Sequence, residues 1–117
     1  MQRLKDVDMG TERGHLVVTT AIGSHEEAEK IASAIMEKKL AACVQVIGPI
    51  MSMFNWDGEL KKEKEWVIQA KTTTKWYSEL EETIKGEHPY QLPEIVALPI
   101  KEGSIDYLEW VRSEVDS

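Results

Sequence analysis

Cysteine is almost absent from this sequence, with Cys43 alone among 117 residues. A single cysteine permits no intrachain disulfide, which fits a reducing compartment, and we therefore expect a cytoplasmic protein. No run of about 18 apolar residues occurs, so we expect no membrane-spanning helix. Basic residues are outnumbered by acidic ones, at 14 Lys and Arg against 21 Asp and Glu. The resulting net charge of −7 argues against a nucleic-acid or anionic-membrane partner.

The motifs of several enzyme classes are missing as well. We find no Gly-rich phosphate loop, no GxSxG, no HExxH and no paired carboxylate motif. No nucleophile stands beside a base in the sequence, so we do not expect an enzyme. What remains is a chain of ordinary globular composition, 42% hydrophobic and 30% charged. We expect a flexible tail over residues 1–14 and one domain over residues 15–117.

Apolar spacing predicts the order strand, helix, two strands, helix, strand, helix. The first strand spans residues 15–22, and the capping-box spacing of Ser24 and Glu27 opens the first helix. The second helix is expected to begin near three threonines and to end at Gly86. The last strand and helix are expected at residues 95–100 and 104–115. This order predicts an α+β fold, the ferredoxin-like split β-α-β sandwich with an extra C-terminal helix.

A long β-hairpin is predicted between the second and third strands by the Asp57-Gly58 pair. We expect a bend at Gly48-Pro49, because proline disrupts the hydrogen-bonded ladder. The return strand begins charged over residues 59–65, which we interpret as solvated surface or as a contact with another chain. A hairpin that extends past its own sheet leaves open edges, and a second copy of the chain can cover them.

The segment EHPYQLPEI, residues 87–95, combines potential ligand-binding side chains with two prolines. Pro89 holds His88 in an extended backbone, and Pro93 does the same for Leu92. Such stiffness suits a site that presents side chains at fixed angles, and it suits a structural crossover equally. A lone loop histidine is more often structural than a ligand, so both interpretations of His88 stay open.

Cys43 lies in the apolar run LAACVQ, residues 40–45. A cysteine in such a run usually acts as a small buried apolar side chain. As a thiolate it is a soft ligand that suits copper(I). Only the fold can bring it to His88.

Five blocks of sequence occur in an order that resembles one known family. They are LAACVQ at 40–45, Ser52 with Trp56, Gly58 and Glu65, then Lys71-Thr72, HPYQLPEI at 88–95 and YLEWV at 107–111. Together they resemble the CutA family of divalent cation tolerance proteins over about residues 15–115. The resemblance implies a ferredoxin-like homotrimer, with hairpins that pair between subunits and an architecture similar to PII signalling proteins. It also implies a link to tolerance of divalent metals, copper above all.

The resemblance implies candidate site residues too. For a small ligand in a cleft between subunits we expect Glu65, Lys71, His88, Tyr90 and Glu94. For copper or a similar divalent ion we expect Cys43, His88 and Glu94. Two positions depart from the family pattern: Phe54 replaces a common tyrosine, and Gln91 replaces a common glutamate. The second departure leaves Glu94 as the better oxygen donor.

Three functions stay open on this basis. The first is a homotrimer that binds divalent metal ions and contributes to the response to them. The second is a PII-like module with a small anionic ligand, which Lys71 favours. The third is a structural trimer in which the polar residues satisfy one another at an interface. The sequence names no protein partner for any of them.

Overall fold

The computed structural model describes residues 14–116, so the predicted tail lies outside the described residues except for Gly14. The strands are β1 (His15–Ile22), β2 (Cys43–Trp56), β3 (Glu59–Thr73) and β4 (Val96–Pro99). The helices are α1 (His25–Glu37), α2 (Tyr77–Glu87), which follows a 3-10 turn at Thr74–Trp76, and α3 (Ile105–Asp116). The predicted order of elements is confirmed.

The four strands form one antiparallel sheet in the order β2-β3-β1-β4. This order, with a helix after β1 and another after β3, is the predicted ferredoxin-like arrangement. Side chains alternate between the faces of a strand, so Val18, Ile68 and Ala70 share the face that α1 and α2 cover. Ile31, Ile35 and Leu80 of the helices complete that core, and each is fully buried.

Helix α3 packs against the opposite face of the sheet, at one end. Its Leu108 carbonyl accepts a hydrogen bond from His15 Nε2 at 2.8 Å, and Tyr107 Oη lies 3.6 Å from Cys43 Sγ. Val111 and Val115 are buried there. The rest of that sheet face carries exposed apolar side chains, namely Ile47, Val96 and Leu98.

Local predictions of helix ends were partly correct. The Ser24 hydroxyl accepts from the backbone N–H of Glu27 at 3.0 Å, which confirms the N-cap of α1. The prediction of a C-cap at Gly86 is wrong, because α2 continues to Glu87. The helix ends where Pro89 forces His88 into extended backbone, with φ −83° and ψ 133°.

The hairpin is confirmed, and it continues past Trp66, the last residue of β3 that pairs with β1. Its turn residues Asp57 and Gly58 both have positive φ, as a tight hairpin turn requires. The ladder between β2 and β3 shifts register between Ile47 and Ile50, where the bend was predicted. We call the part beyond this shift the outer arm; it consists of residues 50–56 of β2 paired with residues 59–65 of β3.

Candidate functional site

A groove of about 720 Å³ lies between the outer arm and the segment after α2. We call it the hairpin groove. Its aromatic and apolar side-chain lining comes mainly from Phe54, Trp56, Tyr90 and Leu92. Its charged lining comes from Lys61, Glu63, Glu65 and Glu94. Its size is in the range of small-molecule sites.

The strand register explains why these side chains meet. Residues directly opposite each other in an antiparallel ladder point to the same face. Ser52 stands opposite Glu63, and Phe54 stands opposite Lys61. Every second residue of a strand points to the same face, so residues 61, 63 and 65 of β3 share the groove face. The charged stretch that we interpreted as solvated surface thus supplies one wall of a groove.

Glu65 and Tyr90 form the polar centre of the groove. The Tyr90 hydroxyl donates to Glu65 Oε2 at 2.8 Å. Glu65 is buried, with 6% of its surface exposed, although it carries an ionisable carboxylate. Burial, then the hydrogen bond to Glu65 and nearby carboxylates, raise the pKa of Tyr90 above its ordinary value. Tyr90 therefore stays protonated and continues to donate at physiological pH.

His88 is buried behind this pair and uses both ring nitrogens within the chain. Nε2 lies 2.9 Å from the Ala21 carbonyl oxygen, and Nδ1 accepts from the Tyr90 backbone N–H at 3.2 Å. A carbonyl only accepts, so Nε2 carries the proton and Nδ1 supplies its lone pair to the backbone. A neutral imidazole held this way has no lone pair left for a metal. The predicted role of His88 as a metal ligand is not what this geometry provides.

Cys43 and Lys71 lie elsewhere on the sheet. They are directly opposite each other in the β2–β3 ladder. Lys71 Nζ donates to Gln45 Oε1 at 2.9 Å. Six residues of strand separate Lys71 from Glu65, which is roughly 20 Å. The predicted grouping of Lys71 with the other four residues is therefore not found within one chain.

The thiol of Cys43 is engaged in a contact of its own. Its Sγ lies 3.6 Å from Tyr107 Oη. This hydrogen bond, followed by burial, raises the pKa of Tyr107. Cys43 is thus part of the α3 contact, far along the sheet from the hairpin groove.

A metal centre requires several ligands that converge on one point. Within residues 14–116, no three His, Cys, Asp or Glu side chains are close enough to hold one ion. The predicted set Cys43, His88 and Glu94 is accordingly not assembled by a single chain. Of the three, only Glu94 lines the hairpin groove.

Sequence reasoning placed Glu65, Tyr90 and Glu94 in a candidate site, and the structure brings all three to the groove. It missed Glu63 and Trp56 as partners in that site. The period-two alternation of the charged return strand was the signal that could have found Glu63. No local signal indicates that the segment at residue 90 returns to meet the strand.

Fold and site together define a small α+β protein with a groove between a long hairpin and a proline-bounded loop. The family model for "CutA1 divalent ion tolerance protein" matches residues 16–114. The Thermus thermophilus divalent-cation tolerance protein CutA is 45% identical over 82% of this chain and 93% of its own length. The chain therefore belongs to the CutA family of divalent cation tolerance proteins.

Solved structures agree with this assignment. A Thermus thermophilus CutA1 structure superposes with a TM-score of 0.84 at 42% identity, over 86% of this chain and 98% of that one. CutA1 from Oryza sativa gives 0.84 at 34% identity, over 87% of this chain and 94% of that one. The human protein CutA is 38% identical over 77% of this chain, and the match covers 50% of the human protein.

The relatives do not share one compartment. One solved structure, from Archaeoglobus fulgidus, is described as a periplasmic protein, and the rice and Arabidopsis relatives are described as chloroplastic. Among residues 14–116, none of the helices has the length and hydropathy needed to cross a bilayer. The cytoplasmic location stays a prediction.

Proposed function

We propose that this CutA family member acts in divalent cation tolerance as a non-enzymatic protein that binds cations in the hairpin groove and works as a homotrimer. One observation carries the binding part of the proposal. Glu65 presents a carboxylate that is almost wholly buried at the groove, and Tyr90 donates to just one of its oxygens. The second oxygen is left to accept from a ligand.

The charge of the groove favours cations over anions. Three carboxylates line it, from Glu63, Glu65 and Glu94. The amine of Lys61 also lines it, but it pairs with Glu59 Oε1 at 3.3 Å, near the hairpin turn. Carboxylate oxygens suit divalent ions such as Ca²⁺, Mg²⁺ and Mn²⁺, whereas thiolates suit copper(I).

The homotrimer is the assembly that the family resemblance implies, and the open sheet face supports it. Val96 is 46% exposed and Leu98 is 57% exposed on the edge strand, and Ile47 is 46% exposed on the far strand. Apolar side chains gathered on one face favour burial against another protein surface. A second copy is the simplest partner for such a face.

A PII-like module for a small anion remains the alternative hypothesis. It places Lys71 beside the HPY segment in a cleft between subunits, and within one chain Lys71 donates to Gln45. The alternative predicts that a small anionic metabolite raises the melting temperature of the protein and that cations do not.

The test is a calorimetric titration with Mn²⁺, which carboxylates suit, and separately with Cu(II), the metal that the family resemblance implies, on the wild type and three variants. Glu65→Gln removes the groove charge, Cys43→Ser removes the thiol, and Glu82→Gln removes an exposed charge on α2. We expect a fixed ratio of ion to chain in the wild type, Cys43→Ser and Glu82→Gln. We expect binding at least about tenfold weaker in Glu65→Gln, because a charged hydrogen-bonding partner is lost.

Two results would contradict the proposal. If Cys43→Ser abolishes binding while Glu65→Gln leaves it intact, the thiol and not the groove holds the ion. If light scattering gives the 13.3 kDa mass of a single chain at all concentrations, the homotrimer is wrong.

A further inference from the structure

We propose that the hairpin groove recognises a linear aliphatic polyamine, an organic cation whose ammonium groups are separated by methylene chains. This inference rests on the proposed role of the groove in cation binding. It goes further because it assigns a chemical class to the ligand. Both the shape and the charge of the groove select that class.

The spacing of the carboxylates is the first argument. Glu63 and Glu65 lie two residues apart on the same face of β3, which separates them by about 6.8 Å along the strand. Glu94 stands on the opposite wall, in the segment after α2. Within the described residues, no three ligating side chains converge on one point. Separated carboxylates match a cation whose charges are themselves separated, whereas a single metal ion at Glu65 would be reached by fewer of them.

The apolar lining is the second argument. Phe54 and Trp56 of the outer arm line the groove, and Leu92 lines it from the segment after α2. Burying methylene chains against such surfaces lowers the free energy of binding. Ammonium groups are also attracted to the faces of Trp, Tyr and Phe rings. A hydrated metal ion gains nothing from the methylene contacts, so this lining is unexplained by metal binding alone.

The hydrogen-bonding groups complete the site. Tyr90 donates to Glu65 Oε2 at 2.8 Å, which orients the carboxylate and leaves Oε1 to accept from an ammonium. Ser52 lies directly across the ladder from Glu63 and adds a hydroxyl acceptor on the groove face. Lys61 is the single cation among the groove-lining residues, and its pairing with Glu59 keeps it near the hairpin turn. The positive charge at that end sets a limit to where a cationic ligand can extend.

The experiment is a calorimetric titration of the full chain with spermidine at physiological ionic strength. Two control ligands are n-butylamine, which has one ammonium on a similar stem, and Mg²⁺, which has charge without methylenes. The variants are Glu65→Gln and Glu63→Gln, with Glu82→Gln on α2 as the matched control. Circular dichroism confirms that each variant is folded, and light scattering reports its oligomeric state.

We expect spermidine to bind the wild type saturably. We expect the affinity for n-butylamine to be lower by a factor of roughly ten or more. Glu65→Gln is expected to weaken spermidine roughly tenfold or more, Glu63→Gln several-fold, and Glu82→Gln less than twofold. The inference is overturned if all variants bind spermidine alike, or if Mg²⁺ at equal charge concentration displaces spermidine to the same extent from the wild type and Glu65→Gln, because either result means diffuse charge attraction. It is also overturned if the wild type binds no spermidine, including the case in which a second copy of the chain fills the groove.

The variants separate this inference from the proposed function. If a metal ion binds through Glu65 and spermidine does not bind, the polyamine assignment alone fails. If Glu65→Gln changes the binding of no cation, the groove fails as a cation site and both proposals fall.

Discussion

The ladder between β2 and β3 has two halves that share one hydrogen-bonding pattern and differ in almost everything else. The inner half, residues 43–47 with 67–71, lies under the helices, and its Ile68 and Ala70 are 1% exposed. In the outer arm, Met51 is 60% exposed and Leu60 is 66% exposed. The core therefore stabilises the inner half, while the outer arm gains little from it.

This difference indicates what the outer arm is for. A two-stranded hairpin alone is only marginally stable in water, so its large apolar side chains need another partner. The groove side of the outer arm carries Glu63 and Glu65 together with Phe54 and Trp56. In the function proposed above, the inner half maintains the fold and the outer arm carries binding and assembly.

The largest expected effect is on a helix that covers the inner half. Ile31→Ala deletes a fully buried side chain of α1 and is expected to cost about 2–5 kcal/mol in the free energy of unfolding. The matched change on the outer arm, Leu60→Ala, is expected to cost less than about 0.5 kcal/mol in a dissociated chain. Urea denaturation measures both.

A large loss for Leu60→Ala that depends on protein concentration would show that the outer arm packs against a second copy. A large loss at every concentration would contradict the division between the two halves.

The next effect lies at the junction of the two halves. A Cβ added at Gly48 would approach Trp66 Cδ1 to 2.5 Å and the Glu65 carbonyl oxygen to 3.1 Å. Gly48→Ala is therefore expected to cost roughly 1–3 kcal/mol by overpacking. Thermal unfolding followed by circular dichroism measures the loss.

Gly86→Ala is the control for that change. Nothing lies within 4 Å of a Cβ at Gly86, which is inside α2. Alanine is the better helix former there, so we expect a gain of up to about 1 kcal/mol. Equal losses at both glycines would show that packing at Gly48 is not the cause.

The smallest effect concerns the polar centre of the groove. Tyr90→Phe removes the hydroxyl that donates to Glu65 and is expected to cost roughly 1 kcal/mol at neutral pH. Urea denaturation measures the cost, with Tyr107→Phe on α3 as a comparison outside the groove. No loss in Tyr90→Phe would mean that solvent satisfies Glu65 equally well.

The pH dependence of this hydroxyl has a defined sign. The pKa of Tyr90 is raised in the folded chain, mainly by burial and then by Glu65. The contribution of the Tyr90 hydroxyl to stability is complete below the ordinary tyrosine pKa of about 10. It is lost as the pH rises through the pKa that Tyr90 has in the folded chain. Wild type is therefore expected to lose stability above about pH 10 more steeply than Tyr90→Phe. Parallel curves would contradict the raised pKa.

The sequence predicted those parts of the fold that depend on local chemistry. Ser24 caps α1, and Asp57-Gly58 turns the hairpin, because a side-chain acceptor and positive φ act within a few residues. The end of α2 was misplaced because Gly86 competes with Pro89 as a stop signal. The proline prevailed, since it restricts the backbone of the residue before it.

The candidate site was harder to predict because its contacts are distant in sequence. Glu65 and Tyr90 are 25 residues apart, and their hydrogen bond follows from how the segment after α2 packs on the outer arm. His88 was expected to face a ligand, yet Ala21 and the Tyr90 backbone occupy its ring nitrogens. Residue type alone does not reveal such backbone partners.

The most direct test of the division between the two halves is an amide NMR titration of the wild type with spermidine and, separately, with Cu(II) at low stoichiometry. Binding in the hairpin groove predicts that signals from Ser52, Glu63, Glu65 and Tyr90 change first, while those of Ile31 and Ile68 stay constant. Changes centred on Cys43 and Lys71, with the outer arm unaffected, would place binding on the other part of the sheet and contradict the account.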